Sequence, residues 1–210
     1  MPRTQLPGQL GFDDLLAAAD QTNRELQFQR ETAHLPGNME DALPFLRSLL
    51  ERHHAAMLAA DVKHVFELRE EAGKLAARLN GGTFGILADD DAPGCVLERL
   101  SAAPPGEVPL WGQAGKFIVE AAGARILINM SGVFGLCSGV NFWHGFEAHC
   151  VDVDKPFISE TGYRSFIGIN GKVVPAMTPD AFARAVIDTY VTGECKGKLV
   201  AIQKKSRKQK

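Results

Sequence analysis

Residues Phe142 to Phe166 read FWHGFEAHCVDVDKPFISETGYRSF, and this stretch differs in composition from the rest of the chain. Ionisable side chains are interleaved in it with large aromatic and aliphatic ones. A solvated charge run carries fewer aromatic residues, and a strand buried on both faces carries fewer ionisable groups. The stretch therefore predicts a partly buried polar site or an interaction surface built on β structure.

The part of this stretch from Phe146 to Asp154 has the composition of a strand. Side chains of a strand alternate between its two faces, which places Glu147 and His149 on one face and Asp152 on the other. These polar groups meet at one site only if a bulge near Cys150 resets the alternation.

One interpretation makes the protein a metal-assisted hydrolase or a nucleotide-processing enzyme with one carboxylate as general base. The candidate catalytic residues are His144, Glu147, His149, Asp152 and Glu160. The spacing from His144 to His149 is HxxExH, which departs from the HxxEH and HExxH motifs, and positions five apart do not share a helix face. The sequence therefore assigns no metal site and no cofactor.

Nucleophilic catalysis finds little support in the same stretch. Cys150 follows His149, and Ser159 precedes Glu160, so that in a strand each pair points to opposite faces. No GxSxG motif occurs in the chain. The sequence does not exclude a nucleophile and a base that come from distant segments of the chain. It therefore leaves open whether the protein is an enzyme.

The preferred interpretation is a non-enzymatic interaction protein. Trp143, Tyr163 and Arg164 are its predicted binding anchors, because tryptophan, tyrosine and arginine dominate protein-binding hot spots. Gly162 permits a tight turn that brings Glu160 and Arg164 together as a partly buried ion pair with Tyr163 outward. Two exposed charges on a loop are the alternative.

The N-terminal part of the chain has the patterns of helices. A first helix begins at Asp13 or Asp14, Asn38 caps a second, and Asp61 caps a third that ends near Leu79. The second helix carries an apolar stripe at the helical period: Leu46, Leu49, Leu50, His53 and Met57. The second and third helices form an antiparallel hairpin.

Three histidines fall on this hairpin: His53, His54 and His64. No cysteine or carboxylate follows at a matching helical spacing on both helices, so surface and boundary positions are favoured over a metal site. Glycines, prolines and three consecutive aspartates at 89–91 then predict a long loop, with at most a short helix near Val96–Leu100. An acidic turn is the preferred interpretation of the aspartates.

The C-terminal half has the patterns of strands. Phe117–Ala121 and Ala124–Met130 read as a hairpin, and Asn170-Gly171 predicts a second hairpin between Phe166–Ile169 and Lys172–Val174. Thr178-Pro179 opens an amphipathic helix that runs to about Val191. A last short strand is predicted at Leu199–Ile202.

These elements predict an α+β fold, in which an N-terminal helical hairpin packs with a mainly antiparallel β-sheet and a C-terminal helix. The predicted regions of one compact domain are 1–80 (helical), 81–116 (connecting loop), 117–203 (β-rich with the C-terminal helix) and 204–210 (basic tail).

Composition and charge are those of an ordinary globular protein, with one asymmetry. No run of residues is apolar and long enough to cross a membrane, which favours a cytoplasmic location. The four cysteines are widely spaced, which favours reduced thiols over disulfides. The last 15 residues hold seven lysines or arginines and no acid, which leaves 16 basic and 25 acidic residues, a net charge of −9, over residues 1–195. The basic tail is interpreted as a solubilising end or as a weak contact to nucleic acid or an acidic partner.

Three segments carry a resemblance to a known family: GILADDDAPGCVLERL, VPLWGQ and above all FISETGYRSF. The chain resembles, from about Leu43 onward, a family from bacterial plasmids and integrative elements that has no assigned reaction. This resemblance implies a setting among conjugation, DNA-modification or anti-defence genes. The polar-aromatic stretch, the lack of a complete catalytic motif and the uneven charge separately favour an accessory protein that binds a host or element-encoded protein, with action against a host defence system as one role. The resemblance transfers no catalytic residue.

Overall fold

The computed structural model describes residues 11–83 and 89–203. These ranges hold five helices and four strands: α1 (Phe12–Glu31), α2 (Met39–Ala59), α3 (Val62–Leu79), α4 (Pro93–Ser101), β1 (Gly115–Ala121), β2 (Ala124–Met130), β3 (Phe146–Cys150), β4 (Tyr163–Phe166) and α5 (Pro179–Gly193). The strands form one antiparallel sheet in the order β1-β2-β3-β4. The predicted α+β class, with its N-terminal helices and C-terminal helix, is confirmed.

The helix starts follow from capping side chains. Asn38 accepts a hydrogen bond from the backbone N–H of Asp41 at 2.9 Å, and Asp61 accepts one from the N–H of His64 at 3.1 Å. These bonds satisfy amide groups that have no partner inside the helix. Both predicted caps are confirmed, and the predicted stripe of α2 is buried along its whole length.

The sheet buries one face and leaves the other open. In β1, Phe117 and Val119 face the core, whereas Ile118 between them is 52% exposed. The same alternation runs through β2 and β3. Helices α2, α3 and α4 pack together, and α5 packs on β1. The buried residues of these elements form one hydrophobic cluster.

The β1–β2 hairpin forms where the sequence predicts it, because Ala122 and Gly123 both adopt positive φ values, +51° and +75°, that match the strand twist. The second predicted hairpin, around Asn170-Gly171, does not form. The chain leaves the sheet after Phe166, and the backbone N–H of Ala176 donates instead to the carbonyl of Leu58 at 2.8 Å. This segment therefore leads to α5 across the end of α2.

Two other boundaries differ from the prediction. Helix α4 is longer than the short helix expected inside the 81–116 loop. Leu199–Ile202 forms no strand of the sheet, and only Val200 pairs, with Phe157. The acidic turn closes with a hydrogen bond from the N–H of Ala92 to the carbonyl of Asp89 at 2.9 Å. The basic tail at 204–210 lies outside the described residues.

No helix within the described ranges has both the length and the apolar character that a membrane crossing requires.

Candidate functional site

Of the predicted catalytic residues, the structure brings together Glu147 and His149 on the open face of β3. The Glu147 carboxylate accepts hydrogen bonds from Asn129 Nδ2 at 3.0 Å and Tyr163 Oη at 3.2 Å, and it lies 3.7 Å from His149 Nε2. The hydrogen bond from Asn129, more than that from Tyr163, holds the pKa of Glu147 below its usual value. The predicted shared face is confirmed, and it carries a surface network.

Asp152 and Glu160 lie apart from this network. Asp152 accepts from the backbone N–H of Arg125 at 3.0 Å and from its guanidinium at 2.9 and 2.7 Å, and these bonds hold the pKa of Asp152 well below its usual range. Glu160 accepts a hydrogen bond from the side chain of Gln203. Each carboxylate therefore ties two chain segments together and takes no part in a shared site.

His144 lies in the core, at 1% exposure. The five candidates thus occupy four separate environments, because β3 ends at Cys150 and no bulge brings Asp152 back to the face of Glu147. Across residues 11–83 and 89–203, no three His, Cys, Asp or Glu side chains come close enough to hold a metal ion. The geometry gives no support to the metal-assisted enzyme.

The predicted binding anchors are divided between core and surface. Trp143 is 4% exposed and packs between Trp111 and Phe182, with ring centroids 5.5 and 4.8 Å away, so a partner cannot reach it in this conformation. Tyr163 is 39% exposed on β4, and Arg164 is exposed beside it. Only these two anchors are accessible to a partner.

The predicted turn at Gly162 forms, with φ +72°, but the predicted ion pair between Glu160 and Arg164 does not. Arg164 pairs in register with Ala148 on β3, which directs its side chain toward α5. Its guanidinium lies over the ring of Tyr190, 4.7 Å from the centroid. Arg164 on β4 thus contacts α5, whereas Glu160 precedes the strand and bonds to Gln203.

Arg164→Ala is expected to lower the free energy of unfolding by about 0.5–1 kcal/mol, the contribution of an exposed cation–π contact. If Arg164 formed the buried ion pair predicted from the sequence, the same substitution would lower the free energy of unfolding by about 3–5 kcal/mol. Urea unfolding distinguishes the two values. A loss above about 2 kcal/mol would contradict an exposed Arg164 that stacks on Tyr190. Glu160→Gln is the control, because it removes the charge of the other residue in the predicted pair.

Sequence reasoning missed a polar cluster in the core, centred on Arg69 of α3. Arg69 is 5% exposed, and burial lowers its pKa to about 10. Its Nε donates to His53 Nε2 of α2 at 3.0 Å, and its Nη2 donates to His144 Nε2 at 3.0 Å. Within the described ranges no carboxylate lies at ion-pair distance from this guanidinium.

The remaining N–H groups of Arg69 donate hydrogen bonds to backbone carbonyls. Nη1 donates to the carbonyls of Ser138, at 2.7 Å, and Asn141, and Nη2 donates to the carbonyl of Phe142 at 2.6 Å. A guanidinium has five N–H donors. The two imidazoles and three carbonyls supply five acceptors, so the buried cation is fully hydrogen-bonded by neutral groups.

Both histidines of the cluster are neutral. The backbone carbonyl of Trp111 lies 2.8 Å from His53 Nδ1. Because a carbonyl can only accept, Nδ1 carries the proton, and Nε2 accepts the hydrogen bond from Arg69. Burial, with the Arg69 charge second, lowers the pKa of His53 from 6.5 to about 3. The same causes in the same order lower the pKa of His144 well below its usual value. The expectation of surface and boundary histidines was wrong for His53, which is 0% exposed.

The cluster fixes a loop whose tip is apolar and exposed. We call residues 133–140 the apolar loop. Leu136 is 68% and Val140 is 77% exposed, the largest values among the exposed large hydrophobic residues that the structure describes. Between them Cys137 adopts φ +65°, which is unfavourable for a residue with a Cβ atom. The bonds from Arg69 to the carbonyls of Ser138 and Asn141 thus tie the backbone on both sides of Val140 to the core.

Comparison with known proteins shows similarity to one family and names no reaction. Residues 114–198 match the family model described as KlcB third domain. The chain is 36% identical to an Escherichia coli protein named Protein KlcB over 187 residues, which cover 88% of this chain and 42% of that protein. It is 40% identical over 115 residues to a second Escherichia coli protein of the same name, with 54% and 24% covered.

The chain spans less than half the length of these curated relatives. No solved structure matches it significantly. The match at 114–198 runs from just before β1 past the end of α5 and includes the apolar loop. The predicted resemblance to a bacterial plasmid-associated family without an assigned activity is therefore confirmed, and residues 114–198 are similar to the third domain of KlcB.

Proposed function

We propose that this chain is a non-enzymatic interaction module of a bacterial mobile element, and that it binds a host or element-encoded protein through the apolar loop. The observation that carries the proposal is the exposure of Leu136 and Val140 on a loop whose backbone is bonded to the buried Arg69. Exposed single apolar residues are common on proteins. A loop that is apolar at its tip and held from inside the core by a buried cation is an arrangement that stability alone does not favour.

The energetics favour binding as the use of this loop. Burying a guanidinium without a counter-ion has a desolvation cost, which its hydrogen bonds only offset. Ordering a loop before binding removes part of the entropy that association otherwise loses. A leucine and a valine that become buried at an interface each contribute about 1.5–3 kcal/mol. The cluster therefore supports affinity at the surface by ordering the loop before a partner binds.

The setting and the partner of this module are parts of the same proposal. The resemblance to KlcB supports an accessory role in a plasmid-associated system, and action against a host defence system is the role proposed within it. The net charge of −9 over residues 1–195 favours a partner with a basic surface. A weak nucleic-acid contact through residues 204–210 is proposed as an addition to this protein contact.

Leu136→Asp and Val140→Asp are expected to weaken partner capture by at least about tenfold each, because a charge in an apolar contact costs more than about 1.4 kcal/mol. Tagged protein would be expressed in its native host, crosslinked and purified, and the captured protein would then be titrated in purified form. The urea midpoints of both variants are expected to stay unchanged, since neither side chain is buried.

Val108→Asp is the matched control, because Val108 is 47% exposed on a different loop. It is expected to keep full capture. The proposal is lost if no protein is captured, if the loop variants capture it as well as Val108→Asp does, or if the purified chain turns over a small molecule.

A further inference from the structure

A narrow crevice of about 200 Å³ opens beside the apolar loop, between α4 and the sheet. Leu136 of the loop and Ile167 beyond β4 contribute apolar side chains to it. Its polar lining comes from Glu98, Asn129, Ser131, Glu147 and Ser165. The described residues that line it include two carboxylates and no lysine, arginine or histidine.

Glu98 of α4 contributes an oxygen that has no partner. Its Oε2 is buried and receives no hydrogen bond from the residues that the structure describes. The backbone encloses it on one side: a Cβ atom at Gly132 would lie 3.1 Å from Oε2 and 3.0 Å from the carbonyl of Gly112. Burial raises the pKa of Glu98. A buried acceptor without a donor costs about 1–3 kcal/mol, and Glu98 is the lining side chain that carries this cost.

The opposite side of the crevice carries a carboxylate that is held ionised. Glu147 accepts from Asn129 Nδ2 at 3.0 Å and from Tyr163 Oη at 3.2 Å. Because its Nδ2 is used in this way, Asn129 retains its amide oxygen as an acceptor. The hydroxyls of Ser131 and Ser165 accept as well as donate. The crevice therefore presents acceptors from α4, β2, β3 and β4 to whatever enters it.

We propose that this crevice binds the cationic head of a lysine or arginine side chain from the protein partner. The inference rests on the proposed function, because the crevice adjoins the apolar loop at Leu136 and would be filled by the same partner. Ammonium and guanidinium groups are donors only, which fits a site rich in acceptors, and guanidinium matches carboxylates in geometry. A volume of about 200 Å³ corresponds to roughly six waters, enough for such a head and part of its stem.

The apolar stem of the side chain fits the same place. Lysine and arginine bury their methylene groups along apolar surface while the charged head reaches polar groups. Leu136 and Ile167 supply that surface, and Glu98 lies at the enclosed side. The partner segment therefore has one apolar side chain against the loop tip and one basic side chain in the crevice.

The test is an NMR titration of the ¹⁵N-labelled full chain with N-acetyl-arginine amide. We expect saturable shifts of the Asn129 side-chain amide and of the Ser131 and Ser165 backbone signals. N-acetyl-citrulline amide, which has a similar shape but no charge, is expected to bind at least about tenfold more weakly. N-acetyl-lysine amide, with a free ammonium, shows which of the two cationic heads is preferred.

Glu98→Gln is expected to weaken arginine binding about tenfold, because it replaces a carboxyl oxygen that can accept from the cation by an amide NH₂ and leaves the shape. Its urea midpoint is expected to be unchanged or higher, since a neutral amide replaces a buried carboxyl group. Glu147→Gln gives a second variant from the opposite side. Glu120→Gln, an exposed glutamate on the open face of β1, is the control and keeps full binding.

Equal binding of citrulline and arginine amides, shifts that lie outside the crevice, or unchanged binding by Glu98→Gln and Glu147→Gln would each overturn the cation site. None of these results bears on partner capture, which depends on Leu136 and Val140. Conversely, arginine binding that disappears in Glu98→Gln supports the site even if Leu136→Asp leaves partner capture intact. The two proposals therefore fail separately.

Discussion

Replacing Arg69 by methionine is expected to lower the free energy of unfolding by about 3–5 kcal/mol, a large part of the 5–15 kcal/mol that is usual for a domain. Methionine fills a similar volume but donates no hydrogen bond. The ring nitrogens of His53 and His144 and three backbone carbonyls then lose their donor together. Each buried acceptor left alone costs about 1–3 kcal/mol, and water that enters the site recovers part of it.

Arg52→Met is the matched control for this change. Arg52 lies on α2, is 46% exposed and forms a 3.5 Å ion pair with Glu71, so its loss is expected to cost less than about 1 kcal/mol. Arg69→Lys is expected to fall between the two, because an ammonium has three donors and cannot reach all five acceptors. If Arg69→Met does not fold, Arg69→Lys retains the comparison with Arg52→Met.

A second measurement locates the effect of Arg69 at the apolar loop. Chymotrypsin cleaves after large apolar residues, and Phe134 and Leu136 lie in this loop. Arg69→Lys is expected to be cleaved there faster than the unsubstituted chain at equal global stability, adjusted with a low urea concentration. Equal cleavage rates, or a loss below about 1 kcal/mol for Arg69→Met, would show that other contacts hold the loop.

Local signals in the sequence were sufficient for the helices and the first hairpin. Asn38 and Asp61 cap helices through side chains that reach only three residues ahead, so no knowledge of the fold is needed to read them. The Ala122-Gly123 turn depends in the same way on its own two residues. These elements were predicted because their causes are close in sequence.

Signals that depend on the rest of the fold were misleading. Asn170-Gly171 has the chemistry of a hairpin turn, but a hairpin needs a second strand, and the following segment bonds to the end of α2 instead. Glu160 and Arg164 have suitable spacing for a pair across a turn. The register of β4 against β3 directs Arg164 to Tyr190. In both cases a tertiary contact overrode a correct local motif.

The buried cluster was not predictable as a unit, because Arg69 lies 16 residues from His53 and 75 from His144. Part of its signal was nevertheless present. His53 occupies the apolar stripe of α2, and Arg69 follows Val65 by four residues and precedes Ala72 by three, so that it shares the buried side of α3. A histidine and an arginine inside apolar stripes of two paired helices indicate a buried polar contact between them. The choice of His144 as third member required the structure.

Acid is expected to destabilise the protein steeply below pH 6.5, and His53 is a main cause. Its folded pKa of about 3 lies below its ordinary value of 6.5, so the unfolded chain binds a proton that the folded chain does not. The contribution of His53 to the free energy of unfolding is therefore fully present above pH 6.5. It falls by about 1.4 kcal/mol per pH unit as the pH drops from 6.5 toward 3. His144, whose pKa is also lowered by burial, adds a fall of the same sign. His54 adds a smaller one, because partial burial lowers its pKa too.

The variant His53→Gln isolates this effect, because glutamine retains an acceptor for Arg69 and does not titrate. Urea unfolding between pH 5.5 and pH 4.5 is expected to show a slope smaller than that of the unsubstituted chain by about 1.4 kcal/mol per pH unit. The carboxylates change the pH dependence of stability equally in both proteins, so their effect cancels in the difference between the two slopes. This includes Glu98, which opposes the fall because burial raises its pKa. His34→Gln, at an exposed histidine, is expected to keep the full slope. An unchanged slope for His53→Gln would mean that His53 is protonated in the folded protein, and Arg69 would then lack one of its acceptors.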